Sequence, residues 1–258
     1  MDIIINNSNK DSNSPFRGQG GKAMIFAAGL GTRFKPFTNS HPKALAPVNK
    51  KSLLQRNIEY LHQYGITNVV VNVHHFAEQI INAVQKNNGW GSNIIISDET
   101  NEVLETGGGL LKAKSLLEGT EPFITLNADI LTNVNIDKLL TYHKEQNALI
   151  SFGVTNRKTS RYFLFDEDNR LCGWRNTKTG EERISINKPG LIEKAYSCVV
   201  IFQPEIFSLI KQTGKFSLVD VYLSLAADHK IMGYDHTGDL FVDVGKPESV
   251  AEAEKYFK

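Results

Sequence analysis

Apolar residues gather in short blocks separated by longer amphipathic stretches. Residues 23–26, 69–73, 94–96, 123–126 and 149–154 form such blocks, and Val69-Val70-Val71 is β-branched throughout. Blocks of this length predict strands buried on both faces of a sheet. Between them, 52–64, 76–85, 108–117 and 136–144 carry apolar residues at helical spacing. Leu53, Leu54, Ile58 and Leu61 ahead of a Gly65 stop are one such set. Strand and helix alternate, which predicts an α/β fold: a Rossmann-like, mostly parallel sheet flanked by helices. After Val154 the rhythm changes. Residues 162–165 and 171–174, around Asp166-Glu167-Asp168-Asn169, predict a hairpin, and 195–202 predict another strand. This section reads as a small β-rich extension that covers a substrate. Helices at 204–210 and 218–227, a strand near 240–242 and a helix over 248–256 complete the pattern.

The 258 residues suffice for one large α/β domain, read as 22–258, with no internal repeat or linker to divide it. Residues 1–21, rich in Asn, Ser and Gly, read as a flexible leader in preference to an extra edge strand over 2–5. A formal net charge of +1 gives no footprint for nucleic acid or an anionic membrane. No apolar run is long enough to span a bilayer, and Ile3-Ile4-Ile5 lacks the flanks of a secretory signal. Cys172 and Cys198 form neither a disulfide framework nor a metal pattern, which points to reduced thiols and a cytoplasmic location.

Candidate chemistry sits where strands end. Ala27-Ala28-Gly29-Leu30-Gly31-Thr32-Arg33 follows the first strand, at the carboxyl edge where open α/β sheets bind ligands. Its glycines let backbone N–H groups approach a phosphate, and Arg33 adds a fixed charge with bidentate donors. Pro42-Lys43-Ala44 supplies a second cation. Asp129 closes the strand ending Leu126-Asn127-Ala128, and Asp243 closes Leu240-Phe241-Val242. Each alone reads equally as a cap or turn acid; as a pair they can hold a hard cation such as Mg²⁺ with a nucleoside triphosphate. Glu105-Thr106-Gly107-Gly108-Gly109 precedes a helix. Three glycines there face an anion at the helix start, let a flat base or ribose lie on bare backbone, or serve tight packing.

Together these motifs resemble the sugar-1-phosphate nucleotidyltransferase (nucleotidyl pyrophosphorylase) family, over roughly 22–258. The signature is similar to 27–33 followed by Pro36 and Thr38, the second motif to Pro42-Lys43-Ala44-Leu45. The Glu105 loop is similar to that of N-acetylmuramate-1-phosphate uridylyltransferases and mannose-1-phosphate guanylyltransferase-like proteins. The resemblance implies a GT-A-like nucleotide-diphospho-sugar transferase fold whose extension binds the sugar. It implies catalytic Arg33 and Lys43. Nucleotide contacts fall to Ala27, Ala28, Gly29, Gly31, Thr32, Glu105, Thr106 and Gly107. Asp129 and Asp243 would hold Mg²⁺, and Asn127, Ser197 and Asp220 would meet the sugar. The implied reaction joins a nucleoside triphosphate to a sugar 1-phosphate, foremost UTP with N-acetylmuramic acid 1-phosphate in cell-wall recycling. GTP with mannose or heptose 1-phosphate, or dTTP with glucose 1-phosphate, are the alternatives. The implied assembly is a monomer or small homo-oligomer.

The chain also departs from that pattern. Ala128 stands where the family often has Gly, Lys246 replaces a Thr between Gly245 and Pro247, and Cys198 replaces a Gly against the sugar. His74-His75 and Trp90 read as structural or packing residues, and Tyr162 and Phe163 fit a sugar site or a core equally. A dinucleotide-binding dehydrogenase would carry its third glycine at position 34, where Phe34 stands. A non-catalytic nucleotide-sugar sensor on the same fold would be expected to have lost one of Arg33, Lys43, Asp129 and Asp243.

Overall fold

The computed structural model describes residues 4, 5, 16 and 21–258. In chain order the strands are β1 (Ile4–Ile5), β2 (Lys22–Phe26), β3 (Pro47–Val48), β4 (Lys51–Ser52), β5 (Asn68–Val73), β6 (Asn93–Asp98), β7 (Phe123–Asn127) and β8 (Ile130–Thr132). They continue with β9 (Ile150–Thr155), β10 (Arg161–Phe165), β11 (Leu171–Asn176), β12 (Glu181–Ile184), β13 (Ile192–Phe202), β14 (Ile231–Asp235) and β15 (Phe241–Asp243). The helices are α1 (Leu53–Gln63), α2 (Ala77–Lys86), α3 (Glu105–Lys112), α4 (Lys114–Leu117), α5 (Ile136–Glu145), α6 (Ile206–Leu209), α7 (Leu218–Leu225) and α8 (Glu248–Tyr256).

The parallel heart of the sheet is β6-β5-β2-β7, as the alternation predicts. Period-two alternation sorts its side chains onto two faces. Ala23, Ile25, Val69, Val71, Val73, Ile124 and Leu126 meet α1, α2 and α5 on one face. Met24, Val70 and Phe123 meet α3, α4, α6 and α7 on the other. Each large side chain so buried stabilises the fold by roughly 1.5–3 kcal/mol, which is why both strand parities are apolar. A third, smaller cluster of Phe34, Val48, Leu53, Leu131, Val242 and Val244 lies where β3, β8 and β15 meet α8. Ser52 caps α1 through its side chain, 3.1 Å from Gln55 N, which fixes where that helix begins.

Strand β13 joins the two parts of the molecule. Its start pairs antiparallel with β10, and its end lies between β7 and β9. A bulge between Tyr196 and Val200 separates these parts, with Cys198 at φ 57°. Beyond it, β10, β11 and β12 form the β-rich extension. Strand β14 runs parallel to β9, a strand the sequence reading did not include.

Two expectations need correction. The helix expected over 108–117 begins at Glu105 and breaks at Ala113 into α3 and α4, so all three glycines lie inside a helix. The leader is paired at the points described: Ile4 and Ile5 add an antiparallel edge to β6 opposite Ile95 and Ile94, and Phe16 is buried against the core. The backbone hydrogen bonds open to an edge strand outweigh the polar composition around it. The rest of that leader lies outside the described residues. Among the described residues no helix is long and apolar enough to cross a membrane.

Candidate active site

A cleft of about 360 Å³ opens at the carboxyl ends of β2, β5 and β7. Its floor is the loop after β2. Ala27 N and Ala28 N both donate to Asn72 Oδ1, at 2.7 and 3.3 Å. Two donors expected to wrap a triphosphate are therefore directed at a side chain on β5. Around Gly29 there is open space where a side chain would begin, so a ligand can lie against its backbone. Gly31, at φ 60°, turns the chain left-handed into a 3-10 turn, Thr32–Phe34. A Cβ there would lie 2.8 Å from Thr38 Cγ2 and 3.0 Å from Lys43 Cβ, so glycine lets the loop rest on the second motif. Thr38 Oγ1 donates to Gly31 O at 2.9 Å. Phe34 is buried beneath this turn, while Thr32 and Arg33 are exposed.

Lys43 and Asp129 form the charged end of the cleft, and two further segments bring Asp243 and Arg33 up beside it. Lys43 Nζ lies 2.5 Å from Asp129 Oδ2, both side chains largely buried. Asp129 immediately precedes β8, and β15 pairs antiparallel with β8, setting Asp243 opposite Ile130. Val244 N donates to Asp129 O at 2.8 Å, tying the two acidic segments together. Asn57, buried on α1, donates from Nδ2 to Ala128 O at 3.0 Å and so fixes the backbone before Asp129. A Cβ on Gly245 would lie 2.7 Å from Asp243 Oδ1 and 3.3 Å from Arg33 Nη2, so this glycine lets the Arg33 guanidinium come up beside Asp243. Two carboxylates are a sparse donor set for a protein-only cage, and no group of three or more His, Cys, Asp or Glu that could hold a metal occurs among the described residues. They fit Mg²⁺, which keeps waters and takes substrate phosphate oxygens for its other positions.

The opposite wall is α3 with its preceding loop. Glu105, at φ 59°, and Thr106 line the cleft together with Val103. The N–H groups of Gly107 and Gly108 donate to Phe216 O, at 2.9 and 3.3 Å. That helix start is therefore satisfied within the protein, which favours the packing reading of the glycines over anion binding. A side chain on Gly107 would overlap the Phe216 ring, and one on Gly108 would overlap Gly214 O. Thr106 Oγ1 accepts from Leu218 N at 3.1 Å, binding α3 to α7.

Of the expected sugar contacts, Asn127 lines the cleft and the other two do not. Ser197 is fully buried, and its hydroxyl lies 2.7 Å from His236 Nε2. It sits within the bulge between Tyr196 and Val200, with its side chain turned into the fold. Asp220 turns to the extension and pairs with Arg183 of β12 at 2.8 Å. Ser217, the cap of α7, lines the cleft in its place. Arg157, which carried no motif, stacks over Phe241 at 4.6 Å and donates from Nη2 to Tyr196 O at 2.8 Å.

This arrangement has counterparts in known proteins. A sequence profile of the family described as Nucleotidyl transferase matches residues 22–258. The chain belongs to the nucleotidyl transferase family. An N-acetylmuramate alpha-1-phosphate uridylyltransferase of Caulobacter vibrioides is 32% identical over 90% of this chain and 95% of its own length. One from Neisseria meningitidis is 30% identical over 90% of this chain and 96% of its own. The mannose-1-phosphate guanylyltransferase catalytic subunit beta of Drosophila pseudoobscura pseudoobscura is also 30% identical, but the chain spans only 61% of its length. The solved structure of HddC from Yersinia pseudotuberculosis shares the fold with a TM-score of 0.72 at 23% identity, covering 92% of this chain and 100% of that one.

For a nucleotidyl transferase of this family, the departures now have surroundings. Cys198 takes the left-handed conformation that a glycine adopts freely, and burial pushes its thiol well up, with Asp129 and Asp243 adding to the effect. Ala128 is buried and its small side chain fits under α1. Lys246 is exposed beside the start of α8.

Proposed function

We propose that the protein transfers a nucleotidyl group from a nucleoside triphosphate to a sugar 1-phosphate, releasing pyrophosphate, with UTP and N-acetylmuramic acid 1-phosphate as the substrate pair. The observation that carries the reaction is the Lys43–Asp129 pair lining the cleft, with Asp243 on the strand paired to the one after Asp129 and Arg33 beside it at Gly245. The two uridylyltransferases similar over nearly their whole lengths support the substrate pair.

A phosphate oxygen of the sugar 1-phosphate attacks the α-phosphorus in line. A new P–O bond forms, the bond from the α-phosphorus to the α,β-bridging oxygen breaks, and its electrons leave with pyrophosphate. The substrate supplies its own nucleophile, so the protein's part is alignment and charge. Lys43, held by Asp129, lowers the repulsion between two approaching anions. Arg33 receives charge on the departing phosphates. Asp129 and Asp243 would hold Mg²⁺, which when bound neutralises charge on the triphosphate. A non-catalytic sensor has no need of the paired lysine and aspartate at the cleft with a second aspartate and an arginine beside them.

Pyrophosphate release with Mg²⁺ tests this across UTP, GTP, dTTP, CTP and ATP against N-acetylmuramic acid, N-acetylglucosamine, glucose, mannose and heptose 1-phosphates. One strong pair, UTP with N-acetylmuramic acid 1-phosphate, is expected. In the same assay Lys43→Ala should raise the barrier by about 3–4 kcal/mol, the scale of other electrostatic catalytic groups. Activity with GTP and mannose or heptose 1-phosphate, or dTTP and glucose 1-phosphate, would replace the substrate pair. Binding of a nucleotide sugar without turnover of any pair would replace the enzyme with a sensor.

A further inference from the structure

Glu99 stands at the end of β6 with almost no exposed surface, yet it is absent from the motifs that mark the cleft. Every polar atom of its side chain is used. Asn72 Nδ2 donates to Oε1 at 2.7 Å, and Leu104 N donates to Oε2 at 3.3 Å. Its backbone is pinned as well: Glu99 N donates to Val73 O at 2.7 Å, and His74 Nδ1 lies 2.6 Å from Glu99 O. Because a carbonyl only accepts, His74 carries its proton on Nδ1.

Asn72 is the next link. With its amide nitrogen committed to Glu99, its oxygen is the atom that faces the nucleotide loop and accepts from Ala27 N and Ala28 N. A carboxamide has one acceptor end and one donor end, and a flip would set two donors against the loop's own N–H groups. Glu99 decides which end faces the loop. Both of its oxygens act as acceptors, the role a carboxylate fills; burial pushes its pKa up, while the bonds from Asn72 and Leu104 pull it down. The opposite wall closes on the same pair. A Cβ on Gly109 of α3 would lie 2.7 Å from Glu99 Oε1 and 3.0 Å from Asn72 Nδ2.

We propose that Glu99 is a positioning residue for the nucleotide: through Asn72 it sets the shape of the 27–31 loop, and through Leu104 and Gly109 it locks that loop to the α3 wall. The two sides of the cleft are thereby built on one buried hydrogen-bond chain, in which Ala27 N and Ala28 N donate to Asn72 while Asn72 and Leu104 N donate to Glu99. That the shaped loop serves a triphosphate rests on the function proposed above; the chain of bonds does not.

The test exchanges the two groups. Glu99→Gln puts an amide nitrogen against either Asn72 Nδ2 or Leu104 N, so one bond must fail. The double variant Asn72→Asp with Glu99→Gln restores each bond: the new carboxylate accepts from Ala27, Ala28 and the new amide, whose oxygen accepts from Leu104. Gly109→Ala disturbs the chain by volume alone and serves where Glu99→Gln does not fold. In ligand-free protein, amide exchange at Ala27 and Ala28 is expected to accelerate in Glu99→Gln and in Gly109→Ala, and to return to the wild-type rate in the double variant. KM for the triphosphate should rise about tenfold in Glu99→Gln and recover in the double variant, with kcat little changed, as for loss of one hydrogen bond to a charged group. Unchanged exchange in the single variants, or a double variant no better than Glu99→Gln, overturns the proposal. Exchange that behaves as expected in a protein that binds no triphosphate overturns the function instead.

Discussion

His143 on α5 is fully buried, with Nδ1 2.9 Å from Ser151 Oγ and Nε2 3.2 Å from the Gln203 amide nitrogen. The amide donates to Nε2, so the ring's proton sits on Nδ1 and both nitrogens are satisfied only while the ring is neutral. Burial, helped by Lys144, holds its pKa down to about 4. The unfolded chain takes up this proton near pH 6.5, the folded chain only near 4. Stability is therefore complete above about pH 6.5 and falls by roughly 3 kcal/mol as the pH drops toward 4. Urea midpoints measured across that window should show the slope, and His143→Gln should remove this share of it. An unchanged slope in the variant would assign the acid sensitivity elsewhere. This group had no signal in the sequence, where it is one polar position on an amphipathic helix. That Lys43 and Asp129 lie against the cleft was legible, because such residues are scarce at loop and strand ends. Asn72 and Glu99 were not: inside or beside apolar strands they read as tolerated polar positions, and only tertiary pairing reveals their bonds.

At the scale of elements, the glycines of α3 show where local preference loses to packing. Glycine is disfavoured in a helix by about 1 kcal/mol against alanine, so a run of three reads as a loop. The helix forms because Phe216 O and Gly214 O lie against it, contacts made by residues far along the chain. Gly108→Ala gains about 1 kcal/mol of helix propensity but drives a methyl into Gly214 O, a backbone atom held by a left-handed glycine at φ 69°. Overpacking of this kind costs typically 1–3 kcal/mol, so steric overlap prevails. A lowered urea midpoint is expected; a raised one would mean that the segment 214–216 yields freely. Strands β2, β5, β6 and β7 were legible from their apolar runs. Strands β12 and β14 were not, because β12 is exposed along its length and Gly233 interrupts β14.

For the whole molecule, the cleft draws its walls from β2, β5, β7, α3 and the cap of α7, so a bound nucleotide ties together segments from across the chain. Ligand present at 100 times its Kd should stabilise the fold by about 2.7 kcal/mol. Thermal unfolding with the triphosphate and Mg²⁺ should show that rise for wild type and a much smaller one for Asp243→Asn. An equal rise in both would remove Asp243 from the cation site. The α/β class and the extension were legible at this scale from the change of rhythm after Val154. The joint between them was not, since nothing in an apolar run says which strands it will lie between. That joint, β13, bears on how such enzymes could be remodelled. One unbroken strand begins in the extension and ends in the nucleotide-binding sheet, with the Cys198 bulge on the way. The extension is therefore not a cassette to be traded between relatives. A graft would have to carry the bulge and its register with it, or leave the rest of β13 two residues out of step with β9.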